Sequence, residues 1–446
     1  MTSADDRTCR KRVAWAARRT GVLVCATALG AGLLSACGSG SGPTTVDLYL
    51  APEQHMQDLV DRCNEEAGGR YRIVYHKLPR EADGQREQLV RRLAAEDSGM
   101  DVLGLDVTWT PEFAEAGWIE PWTGERRKKA VHDVLPGPLK TVQWNGRVYA
   151  ATKNTNVQLL WYDDRVVPKP PDTWQQMIET AKKLKAQGKP HRILFTGAQY
   201  EGLVVVFNTL VESAGGHLLS KDGEKVVVDD GVVRALKMLK KVTTSGVTSP
   251  SLTNQHEDQV RQAFQRGKGA FELNWPFIYA AYQQEMPPED AKHLHWARYP
   301  SLQPGEPPRT TIGGFNLAVS TYSRHKPAAF DAALCLRSPR SQKYQALKDG
   351  LPPSLASVYE DETPLDPDRP ADPQTNPTMA TEYPMKDDIR AALENAAVRP
   401  ATPVYQNIST IISHTLSPPS AIRPEKTAQK LRKQLTAALN SQAVLP

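Results

Sequence analysis

No two cysteines of this 446-residue chain stand near enough in sequence to suggest a zinc site. Cys9, Cys25, Cys37, Cys63 and Cys335 occur singly, with no CxxC and no cysteine–histidine spacing. Signatures of chemistry are missing too. There is no GxSxG elbow, no Walker loop and no GxGxxG after a strand. Ser323-Arg324-His325-Lys326 spells SxxK, but one such match is expected by chance in a chain this long. His256-Glu257 opens like HExxH and lacks the second histidine. His293 and His295 stand in a polar stretch and read as solvated side chains rather than metal ligands. No cofactor and no metal are therefore expected. After residue 36 no apolar run approaches the roughly 20 residues needed to span a bilayer.

What is present begins at the N-terminus. Arg7, Arg10, Lys11, Arg12, Arg18 and Arg19 form a basic head, and Thr20 to Ala36 is apolar and uncharged. The run ends Leu34-Ser35-Ala36-Cys37, which reads as a lipoprotein signal peptide (1–36) cleaved before a lipidated Cys37. Residues 37–43, rich in glycine and serine, read as the lipidated cysteine and a flexible tether. The expected location is the extracytoplasmic face of the cell membrane, held by lipid without a spanning helix. Arg18-Arg19 is only weak support for twin-arginine export.

The leader also explains the charge. Residues 1–36 carry six basic and two acidic side chains, a net +4 out of +5, so the rest is near +1. A body that neutral argues against nucleic acid as a partner. With Cys9 and Cys25 removed with the leader and Cys37 lipidated, Cys63 and Cys335 remain. Each sits in a helix-like stretch beside Leu or Val, so two buried free thiols are expected, with one bridge as the alternative.

The remaining 410 or so residues suffice for two lobes. Strand-like Thr45–Leu50, helix-like Gln54–Ala67 closed by Gly68-Gly69, and strand-like Arg70–Leu78 come first. Gln85–Ala95 then reads as helix and Asp101–Leu105 as a buried strand. This β-α-β order implies an open α/β sheet, whose ligands sit at the carboxyl ends of strands. The turn Asp106-Val107-Thr108-Trp109-Thr110 is thus a candidate site. A second α/β unit follows, with a helix from Trp174 to Ala186 capped by Thr173 and a strand from Ala270 to Leu273. Thr363 to Pro377 reads as loop, and Glu425 to Leu439 as a closing helix.

Aromatic residues recur beside polar ones at loop–strand junctions: Trp109 after Asp106, Trp161-Tyr162 after Asn154 and Asn156, Trp275 after Asn274. Sugars need this pairing, since their C–H faces pack on rings and their hydroxyls need fixed polar partners. Core packing is the better reading of Trp161 and Trp174. A ligand role is the better reading of Trp275, which follows a strand end and abuts Pro276. Taken alone, Glu257 and Arg399 look like ordinary surface charges.

Four stretches match a family in order and spacing. They are Asp101–Asp106 continuing to Gly117-Trp118-Ile119; Asn156–Tyr162 with Pro171–Trp174; Gln262–Phe264 with Gly267–Phe271 and Asn274-Trp275-Pro276; and Gly313–Ser320. In these the chain resembles the extracellular substrate-binding lipoproteins of carbohydrate ABC importers, the maltose-binding-protein-like family. Within it, Arg399–Gln406 and the pair of Glu257 with Asn274-Trp275 resemble the trehalose-binding lipoproteins of mycobacterial trehalose recycling.

The resemblance implies an α/β two-lobe periplasmic-binding-protein fold of type II, hinged around a ligand cleft. Lobe 1 would comprise 44–153 and about 309–345, lobe 2 154–308 and about 346–446. Function would be capture of a disaccharide, trehalose or a related α-glucoside, by a monomer that delivers it to ABC permease subunits. Carried over by position, Asp106, Asn156 and Glu257 would bind hydroxyls, Trp275 would stack on a ring and Arg399 would donate a fork of hydrogen bonds. Gly314, beside Gly313, would let the backbone approach the sugar. Asn154 competes with Asn156, and Glu53 and Gln54 are weaker candidates. Thr108-Trp109 stands where maltose binders place a charged pair, so maltose specificity does not transfer. The alternatives are a lipoprotein glycoside hydrolase using carboxylates such as Asp106 and Glu257, and a purely structural envelope protein.

Overall fold

Two mixed sheets organise the computed structural model, which describes residues 42–440 apart from 221 and 374. Residues 1–36, read from sequence as a signal peptide, and Cys37 lie outside the described residues. In chain order the strands are β1 (Thr44–Leu50), β2 (Tyr71–Lys77), β3 (Val102–Asp106), β4 (Gln143–Trp144), β5 (Arg147–Val148), β6 (Ala151–Thr152), β7 (Leu159–Asp163), β8 (Arg192–Leu194), β9 (Gly269–Asn274), β10 (Leu294–Ala297) and β11 (Phe315–Val319).

The first lobe is built on the sheet β2-β1-β3-β11-β6 and the second on β10-β7-β9-β8. β1 pairs in parallel with β2 and β3, as the β-α-β order implies. β11 departs from that order and enters antiparallel between β3 and β6. The second sheet is mostly antiparallel, with β8–β9 its parallel pair. The chain therefore passes from the first sheet to the second between Thr152 and Leu159, and back between Ala297 and Phe315.

Local sequence sets the helices. The helix Trp174–Ala186 starts at Thr173, whose hydroxyl accepts the Gln176 N–H at 3.1 Å. Trp174, Met177, Ile178, Ala181 and Leu184 then share its buried face. Gly68 ends the helix Met56–Ala67 in the left-handed region at φ +56°. Trp161 and Trp174 are fully buried core residues, and Trp109, also buried, stacks on Phe113 in the first lobe. Among the described residues, no helix is long and apolar enough to cross a membrane.

One expectation is corrected. Cys63 and Cys335 are not free thiols but a disulfide, with S–S 2.01 Å and Cα–Cα 5.9 Å. Their helices, Met56–Ala67 and Lys326–Leu336, pack against each other over the first sheet. The sequence hides this because the cysteines lie 272 residues apart. Closing so long a loop restricts the unfolded chain. Cys63→Ser with Cys335→Ser is expected to cost about 2–5 kcal/mol. A urea midpoint equal to wild type would refute that stabilisation.

Candidate functional site

Strand register brings the sequence-derived candidates together. Phe315 lies opposite Asp106, so Gly313-Gly314, before β11, adjoin the carboxyl end of β3. Leu159 lies opposite Asn274, so Asn156, before β7, adjoins Trp275, after β9. An isolated bridge between Asn156 and Gly313 joins the two corners, with Gly313 N–H donating to Asn156 O at 2.9 Å. The result is a cavity of about 620 Å³ between the lobes. Asp106, Asn156, Glu257, Trp275, Gly314, Arg399, Glu53 and Gln54 all line it. Asn154 lines it as well, so the preference for Asn156 over Asn154 is not decided by position.

Arg399 is the polar centre of this wall and is 3% exposed. Its Nη1 donates to Glu201 Oε1 at 2.6 Å, and its Nη2 to Asp106 Oδ1 at 3.1 Å and to Ile312 O at 3.4 Å. Glu201 also accepts from the Tyr405 hydroxyl at 2.7 Å and from the Ser409 hydroxyl. Burial alone would lower the Arg399 pKa, but Asp106, Tyr405 and Glu201 reverse this and hold it above its ordinary value. Asp106 Oδ1 is further held by the Thr108 N–H at 2.9 Å and the Thr108 hydroxyl at 2.8 Å. Thr108 thus orients the carboxylate, while Trp109 packs away from the cavity.

Glu257 and Trp275 complete the lining. Glu257 is the first residue of the helix Glu257–Gln265, where a carboxylate is favoured by the helix dipole. It accepts the Tyr200 hydroxyl at 2.6 Å, and burial raises its pKa against that hydrogen bond. The Trp275 ring is partly exposed and reaches the crossover: a Cβ at Gly313 would fall 2.9 Å from it. Gly314 has φ +119°, and a Cβ there would fall 2.5 Å from Asn154 O. The packing of the two crossings is enough to require glycine at 314, which also lines the cavity.

Six residues of the lining carry a buried polar atom with no hydrogen-bond partner among the described residues: Gln85 Oε1, Asn154 Oδ1, Asn156 Oδ1, Arg261 Nε, Asp349 Oδ2 and Arg399 Nε. Such groups are costly unless something pairs with them. Glu53 differs, because both its oxygens are taken. Buried Lys153 Nζ donates to them at 2.8 and 2.7 Å, and Gln345 Nε2 at 2.7 Å.

The lobes touch across the mouth of the cavity. Gln54 Nε2 donates to Gln284 Oε1 at 2.7 Å, Arg80 Nη1 to Asp258 Oδ2 at 3.0 Å, and Gln406 Nε2 to Asp83 Oδ1 at 3.2 Å. His256 Nδ1 lies 3.9 Å from Glu81 Oε1.

Glu201, Tyr200, Tyr405 and Ser409 escaped sequence reasoning. The usable signal was Glu201 itself, one acid heading the wholly buried run Gly202–Val211. Among the set-aside motifs, Ser323 hydrogen-bonds Asp101 and Lys326 pairs with Glu120, while His293 and His295 both contact Asp164.

The sequence pattern of the family described as bacterial extracellular solute-binding protein matches residues 56–343. A probable ABC transporter-binding protein of Deinococcus radiodurans is 28% identical over 349 residues, 74% of this chain and 81% of its own. Maltose-bound T. maritima MalE3 superposes with TM-score 0.77 at 26% identity, covering 88% of this chain and 99% of that one. The GacH receptor of Streptomyces glaucescens, solved unliganded and with acarbose, gives 0.75 at 20% identity, covering 90% and all of its chain. A Thermotoga lettingae solute-binding protein bound to α-D-tagatose also gives 0.75 at 20% identity, covering 89% of this chain and all of its own. The two-lobe architecture is the periplasmic-binding-protein fold.

Proposed function

We propose that this chain, which belongs to the bacterial extracellular solute-binding protein family, captures a neutral disaccharide, trehalose or a related α-glucoside, between its lobes. Its family and relatives are transport binding proteins, and the chain is a binding protein rather than an enzyme. The observation that carries the cargo assignment is the lining: Asn154, Asn156 and Arg399, each with an unpartnered polar side-chain atom, line the same cavity as part-exposed Trp275. Hydroxyls satisfy such atoms, and a pyranose face suits the indole. The Arg399 charge is already answered by Asp106 and Glu201, which favours an uncharged cargo. A volume of about 620 Å³ lies within the range of small-molecule sites.

In this reading Asp106, Asn156 and Glu257 take hydroxyls, Trp275 stacks and Arg399 donates. Sugar bridging the lobes stabilises the closed form. Lipid on Cys37 holds the monomer at the outer membrane face beside its ABC permease.

A thermal-shift screen of α-linked disaccharides, single hexoses, polyols and sugar acids tests the assignment. One neutral disaccharide at a hundred times its Kd should stabilise the fold by about 2.7 kcal/mol. A screen in which sugar acids or polyols shift the melting temperature and no disaccharide does would overturn it.

A further inference from the structure

Glu257 and Trp275 belong to different elements, yet one side chain ties them together. Asn274, the last residue of β9, is wholly buried. Its Oδ1 accepts the Trp275 N–H at 2.9 Å. Its Nδ2 donates to Glu257 O at 3.1 Å and to Glu272 Oε1 at 2.7 Å. Its own carbonyl accepts the indole N–H of buried Trp161 at 3.0 Å. Only one orientation of the amide serves both a backbone donor and a backbone acceptor, so the network itself fixes it.

We infer that Asn274 is the positioning residue of the second-lobe wall, holding Glu257 and Trp275 in one fixed relation so that a sugar ring and its hydroxyl are met together. The inference rests on the disaccharide reading above. Each feature of the network serves that task. A strand end alone would leave the backbone turning into Trp275 with a free N–H, and a helix start alone would leave the Glu257 carbonyl to its own element. The amide spans both. Glu272 anchors the amide from within the strand. Burial pushes the Glu272 carboxyl up to about 8, so near neutral pH it stays in place as an uncharged acceptor. Asn274 touches the two contact residues, which line the cavity, and is not itself part of the lining.

The test combines calorimetry with hydrogen exchange on full-length protein, using the disaccharide that shifts the wild-type melting temperature. Asn274→Ala should weaken binding about tenfold or more, through loss of hydrogen bonds that leave buried partners unpaired. In a Trp275→Ala background the same change should cost clearly less, because a positioning residue acts through what it positions. Exchange at the Trp275 amide should rise about tenfold while amides of β7 keep wild-type protection. Asn274→Asp, which keeps the acceptor and loses the donors, should preserve the Trp275 amide and still weaken binding through Glu257; it also stands in should the alanine variant fail to fold. A lower melting temperature with unchanged affinity and an unchanged Trp275 amide would mean a purely structural asparagine and overturn the inference. If wild type binds no disaccharide, the functional reading fails, and the exchange arm still decides whether Asn274 holds Trp275.

Discussion

Arg399→Ala is expected to destabilise the ligand-free protein by about 3–5 kcal/mol, as well as abolish tight sugar binding. The family resemblance suggested a ligand contact that donates a fork of hydrogen bonds. The structure gives Arg399 a second role. It lies within 2.6 Å of Glu201 and 3.1 Å of Asp106, and its side chain is almost fully buried. Removing the guanidinium leaves two carboxylates facing each other's charge with too little water to solvate them. Tyr405 and Ser409 still donate to Glu201, which limits the damage on that side. Arg399→Lys is expected to recover only part of the loss, since an ammonium cannot reproduce the planar fork that reaches both acids. Denaturant unfolding without sugar measures the effect directly. A wild-type midpoint in Arg399→Ala would show that neither carboxylate depends on it.

Trp275→Ala should separate binding from stability. The ring is partly exposed and sits over the Gly313 backbone, so its loss opens no core cavity. The melting temperature should stay close to wild type. Affinity should fall by 2 kcal/mol or more, roughly thirtyfold, as for an aromatic anchor at the centre of an interface. Trp275→Phe should retain much of it, because a smaller ring still stacks. Calorimetry showing wild-type affinity in Trp275→Ala would move the stacking platform to another residue.

Much of this fold follows from short-range pattern. The Thr173 cap, the alternating β2 and the apolar β3 are local signals, and the structure carries each where the pattern puts it. Asp106 was legible because an acid ending a buried parallel strand has one natural place to point. Trp275 was legible because a strand end beside proline leaves an aromatic ring without a core to enter. The unread parts depend on distance along the chain. Nothing near Cys63 announces Cys335, and the antiparallel entry of β11 next to β3 is set by chain that has first crossed the other lobe. The Arg399 cluster likewise draws Glu201 and Asp106 from positions 198 and 293 residues away. Glu257 and Arg399 looked like solvated charges for the same reason, since their burial is a property of the assembled cleft.

The contacts at the mouth of the cavity have a consequence for unloading. Arg80 and Asp258 form an exposed pair, and Gln54 with Gln284 is an exposed contact of neutral amides. Such a pair is worth about 1 kcal/mol or less, and salt weakens it further. The clasp is therefore feeble by construction. It favours a shut cleft once the cargo has paired the inner atoms, yet it offers little resistance to a transporter that grips both lobes and prises them apart. On the proposed function, retention would fall to the buried wall and release to the rim, so ionic strength would act on the second without rewriting the first.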